Sequence, residues 1–137
     1  MSRLMQPGLG ELADRLSILA LKILHTPPEA ASHFHAEQAL CQHAFDYTMK
    51  ELGWSPTTIP EAVLMQMRCL RGANVELWKM EDQMARYATN VVVHPSRQTI
   101  ERIAELGLNI WRHNRERNDR IREINRLAGM DHGPEKL

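Results

Sequence analysis

Asn74 and Glu81 stand one heptad apart. A helix through them carries Val63, Leu70, Leu77 and Met84 on one seam row, with Met67, Asn74, Glu81 and Ala88 on the next. That phase aims an amide and a carboxylate inward. Later in the chain, Ile100, Gly107, Asn114, Ile121 and Ala128 share a row beside Ala104, Trp111, Asn118 and Asn125, so three asparagines are expected on core-facing rows. Trp78 and Asp82 adjoin the first pair, and Arg117 lies among the asparagines. If the two helices are neighbours, these groups converge on one volume. A guanidinium beside amides suits a phosphate or carboxylate, and an indole face stacks on a base or sugar. The candidate ligand-binding set is therefore Asn74, Trp78, Glu81, Asp82, Asn114, Arg117, Asn118 and Asn125. The preferred alternative is a polar layer that fixes helix register and oligomeric state, with Arg117 paired to Glu81 or Asp82. Because an unpaired buried amide costs about 1–3 kcal/mol, either the groups close on one another or they surround an open pocket that water and ligands enter.

Other constellations have simpler readings. Glu11 and Asp14 lie one turn apart and could hold a hard cation together, but acidic side chains there also stabilise the positive end of a helix, and we prefer that role. A di-iron site of the ferritin kind needs Glu-x-x-His pairs, which are absent. Glu11-x-x-Asp14 and Glu81-Asp82 are far apart in sequence, unlike the closely spaced carboxylate motifs with which helical nucleotide pyrophosphatases bind magnesium. His33 and His35 project from different helix faces, and neither pairs at i+4 with another histidine. No cofactor or metal is expected. Arg112, Arg115, Arg117, Arg120, Arg122 and Arg126 could read as a nucleic-acid stripe, yet Glu116, Asp119 and Glu123 interleave with them, so a solvated face is the better reading.

Four helices must position these residues. Leu9, Leu12, Leu16, Leu19 and Ile23 form the stripe of a first helix over about 9–25. Ile18, Leu21 and Leu24 lie off that stripe, so this helix should be central or at a subunit interface, and self-association is expected. Thr26-Pro27-Pro28-Glu29 reads as a capping box opening a second helix that ends at Leu52-Gly53, and Thr58-Ile59-Pro60-Glu61 as another, opening a third that reaches about Asn90. Val91-Val92-Val93 could be a short strand, but an extended linker before His94-Pro95 is the expectation; Ser96 should cap a fourth helix and Gly129 stop it, with 129–137 expected as a flexible tail. The expectation is one all-α domain spanning 1–137, an antiparallel four-helix bundle with polar residues in its core seam.

Composition agrees with that picture. Seventeen basic and seventeen acidic side chains cancel, which removes any global field toward nucleic acid or an anionic membrane. Cys41 and Cys69, flanked by apolar residues, read as two buried thiols in a reducing compartment. Neither a secretory signal nor a run long enough for a membrane span is visible, so a cytoplasmic location is expected.

Three stretches carry a resemblance. Gly10-Glu11-Leu12-Ala13-Asp14-Arg15-Leu16-Ser17-Ile18-Leu19 resembles the opening of a pair of related bacterial families of small helical proteins, known as domains of unknown function. Asn74-Val75-Glu76-Leu77-Trp78-Lys79-Met80-Glu81-Asp82 is similar to their Asn-x-x-Leu-Trp-x-x-Glu-Asp element, and Asn114-Arg115-Glu116-Arg117-Asn118-Asp119 to their closing helix. The second helix is unmatched. Two positions depart from the pattern, with Ala20 replacing a glutamate and Ala85 an arginine. The resemblance singles out Asn74, Glu81, Asn114, Asn118 and Asn125. Members are often encoded beside glycosyltransferases of lipopolysaccharide or capsule assembly, which implies a role near envelope sugar chemistry. The first expectation is thus a non-enzymatic oligomeric interaction or accessory protein, with a protein partner in polysaccharide assembly. The second is an enzyme or ligand-binding protein acting on a phosphorylated or sugar-nucleotide compound.

Overall fold

A computed structural model describes residues 7–89 and 95–130. The expected Val91-Val92-Val93 linker lies outside the described residues, as does most of the expected tail. The fold is all-α: helices α1 (Leu9–His25), α2 (Ser32–Glu51), α3 (Glu61–Thr89) and α4 (Arg97–Leu127) pack as a four-helix bundle, with no strand among the described residues. Successive helices run antiparallel. Cys41 Sγ reaches the Leu12 carbonyl and Lys22 sits over Phe34, so α2 descends along α1. Arg120 donates to Gln66 while Met84 faces Gly107, so α4 descends along α3.

The helix ends follow from local chemistry. The Ser96 hydroxyl accepts the Thr99 N–H at 3.1 Å, capping α4 as expected. At the far end of α4 the Met130 N–H reaches the Asn125 carbonyl and Gly129 N–H the Arg126 carbonyl, with Gly129 at φ 71°. This is a Schellman closure. The end of α2 repeats it with Gly53 at φ 77° and Trp54 donating to Met49, and both Trp54 and Met130 then pack against the core. The two expected capping boxes do not form. Thr26 and Pro27 are held extended by the prolines that follow them, Pro28–Ala30 makes a single 3-10 turn, and α2 starts only at Ser32. Ile59 likewise precedes Pro60, and the Thr58 hydroxyl takes the Ser55 N–H at 2.7 Å while α3 begins at Glu61.

Helix α1 is central, packed on α2, α3 and α4. Its Leu9, Leu12 and Leu19 join Cys41, Phe45 and Met49 of α2, Leu70 of α3 and Ile124 of α4 in one cluster. Cys69 is half-buried, so only Cys41 meets the expectation of a buried thiol. Helices α3 and α4 have 29 and 31 residues against 17 in α1. At 1.5 Å per residue they outrun α1 by about 20 Å. Past the level of His25, which stacks on Trp78, they continue as a two-helix hairpin.

Candidate functional site

The polar groups meet on the face of α1 opposite its leucine stripe. Asp14 is 6 % exposed and lies at the centre. Arg117 grips it with both prongs, Nε to Oδ1 at 2.8 Å and Nη2 to Oδ2 at 2.5 Å. Asn74, also buried, donates its Nδ2 to Oδ1 at 2.9 Å. One carboxylate thereby ties α1 to α3 and α4. A bidentate arginine is the strongest geometry available to such a pair, and Asn74 supplies the further bond that a desolvated carboxylate needs. The hydrogen bonds to Asp14 hold the Arg117 guanidinium above its ordinary pKa; burial opposes this, and the charges of Asp14 and Glu81 reinforce it.

One turn earlier, the Asn125 side chain of α4 accepts the Gly10 N–H at 2.7 Å and donates to Glu11 at 2.6 Å. An N–H that the first turn of α1 cannot satisfy internally is thus capped by the last turn of another helix. Glycine is required for that approach. A Cβ on Gly10 would stand 2.3 Å from the Ile121 carbonyl oxygen.

The eight expected ligand-binding residues do not gather in one place. Asn74 and Arg117 come together, through Asp14 rather than through Glu81 or Asp82. Asn125 belongs to the α1 cap. Glu81 is exposed and acts on Arg117 only through its charge; Asp82 is exposed and paired with Arg86 at 2.8 Å. Trp78 has one face on His25, with ring centroids 4.9 Å apart. Asn114 is half-buried and Asn118 is exposed, so the inward placement expected of Glu81 and Asn118 does not hold. The seam rows assume a strict seven-residue repeat, whereas a straight helix drifts by ~20° per heptad. Around Glu81, moreover, α1 has ended and leaves that face open.

Glu11 and Asp14 do not share a cation either. Their oxygens take Asn125, and Arg117 with Asn74, and a guanidinium against Asp14 repels a metal. Among the described residues no three His, Cys, Asp or Glu side chains gather as a metal site would require. From the sequence Asp14 is offered a shared cation or, by preference, a helix-dipole role, and its place at the centre of this network is missed. The signal that could have found it is its position one turn from Gly10 and from Ile18, on the second face of a helix apolar around most of its circumference.

Two open volumes flank the network, and none of the eight residues lines either. A cleft of about 600 Å³ separates α2 from α3 over the floor of α1, between Phe45 and Met67. A groove of about 420 Å³ lies on the distal hairpin, bounded by Arg86, Tyr87, Arg102 and Asn109. Fold and network together define a helical bundle pinned by a buried carboxylate–guanidinium–amide triad. No family model, curated protein or solved structure matches the chain.

Proposed function

We propose that this chain is a non-enzymatic, self-associating helical bundle that serves in the cytoplasm as an interaction or accessory protein of envelope polysaccharide assembly, lipopolysaccharide or capsule. The observation that carries the non-enzymatic reading is the closure of Asp14, Arg117 and Asn74 on one another. A phosphate or sugar-nucleotide site would need Arg117 free, and its charge is already spent on Asp14. Self-association is supported by uncovered apolar side chains, among them Leu24 and Leu40, each 74 % exposed. The link to polysaccharide rests on the resemblance of the three motifs. No described helix is long and apolar enough to cross a membrane.

Thermal shift against sugar nucleotides and sugar phosphates, with and without magnesium, tests the non-enzymatic part. A ligand at a hundred times its dissociation constant adds ~2.7 kcal/mol of stability. We expect no shift; a shift abolished by both Glu81→Gln and Arg117→Lys would establish the ligand-binding alternative. A strain lacking the protein is expected to show altered lipopolysaccharide or capsule on gels. Unchanged polysaccharide would sink the envelope assignment.

A further inference from the structure

Among uncovered apolar residues, those of α4 are ordered. Ile100, Leu108 and Trp111 are 53, 46 and 55 % exposed, and Ala104 is exposed between them. Their spacing of four, four and three residues keeps them on one outward stripe, opposite the side that buries Leu106 against α3. α1, by contrast, has most of its apolar circumference covered by its three neighbours, so the stripe on α4 is the better surface for association.

The charges flanking the stripe identify what covers it. Reading along α4, the exposed charges beside the stripe are Arg97, then Glu101 and, at the rim of the α3–α4 groove, Glu105, then Arg112 and Arg115, then Asp119, with Arg122 one turn beyond this stretch. Reversed end to end, the order becomes its own complement. With a two-fold axis beside Leu108, an antiparallel second α4 sets Glu101 against the partner's Arg115, Glu105 against the partner's Arg112 and Arg97 against the partner's Asp119. A parallel pair would set like against like, an arrangement that interfaces select against. The apolar layer agrees with the charges: the bulky Trp111 falls opposite the partner's Ala104, large against small. Within one chain these charges make only exposed contacts, such as Arg97 to Glu101 at 3.3 Å and Arg115 over the Trp111 ring at 5.1 Å. Such pairs contribute little and re-form at small cost.

We propose that a second copy of this chain occupies the stripe, forming a two-fold dimer through an antiparallel α4–α4 contact centred on Leu108. The proposal rests on the self-association reading above and assigns it a surface. Light scattering and sedimentation at micromolar concentration test it. The intact protein is expected to be a dimer, and Trp111→Glu, which alters an exposed side chain and so leaves the circular dichroism unchanged, to raise the dissociation constant ~30-fold or more, the scale of an interface hot spot. The double variants Glu101→Arg/Glu105→Arg and Arg112→Glu/Arg115→Glu are expected to be monomers alone and to form a one-to-one heterodimer when mixed, since at positions 101, 105, 112 and 115 one then presents four positive and the other four negative charges. A monomeric intact protein overturns both this interface and self-association. A dimer indifferent to Trp111→Glu and to both double variants overturns the interface alone. Loss of the dimer with Trp111→Glu, but no rescue on mixing, overturns the antiparallel arrangement.

Discussion

The two halves of the α3–α4 pair differ in what they bury. In the half that α1 crosses, Leu9, Leu19 and Ile124 have no exposed surface and even a carboxylate is inside. In the projecting half the same two helices leave Ile100 and Trp111 more than half exposed, and Leu106 is the buried residue of that stretch of α4. Residue type does not explain the contrast, since Asp14 is charged and Trp111 is not. The third helix does. Two helices bury one seam between them, and a third converts their outward flanks into interior, at which point a polar residue there must be paired.

Asp14→Ala leaves the Arg117 guanidinium and the Asn74 amide without their common acceptor, and it is expected to cost about 3–5 kcal/mol in urea unfolding. Asp14→Leu combined with Arg117→Leu should recover most of that loss, because no charge is then stranded. A cost below ~1 kcal/mol for Asp14→Ala would mean the triad is not what fastens the three helices. Next in size is a matched pair of isoleucines. Ile124→Ala should cost about 2–5 kcal/mol, whereas Ile100→Ala, measured under conditions where the chain is a single copy, should stay within about 0.5 kcal/mol. Equal costs would erase the distinction between the halves.

The smallest expected effect concerns the thiol under α1. Burial pushes the Cys41 thiol above its ordinary pKa of 9.0, with Arg15 pulling it down and Glu37 pushing it up. The folded value therefore lies above the unfolded one. The neutral thiol's contribution is full below the unfolded value and is lost as pH rises through the folded one. Urea midpoints should thus fall more steeply above about pH 9 for the intact protein than for Cys41→Ala. Parallel curves would show that Cys41 ionises as freely in the fold as in the unfolded chain.

Much of the fold was legible because its signals are local. The stripe of α1, the glycines that end α2 and α4, and the Ser96 cap each act within a turn or two. The capping boxes at Thr26 and Thr58 misled because the pattern matched while the backbone could not: a residue before proline resists the helical conformation. The candidate site was half legible. Asn74 reads as inward and is, but heptad counting carried the same inference on to Glu81, where no third helix remains. Asp14 was hidden for the opposite reason. Its partners stand at sequence separations of 60 and 103, and nothing near it announces which helix will cross there.

Those separations also govern how the chain comes to be finished. The Gly10 N–H waits for Asn125, 115 residues later, and Asp14 waits for Arg117. During synthesis from the N-terminus, α1 can lie against α2 almost at once, since Leu12 and Cys41 are only 29 residues apart. Its opposite face carries Asp14, which can take Asn74 once α3 is made but has no guanidinium until Arg117 emerges on α4. Before α4 is made, that second face of α1 lacks its charge partner. The triad is thus completed only by α4, and a carboxylate left without its guanidinium disfavours sealing that face earlier.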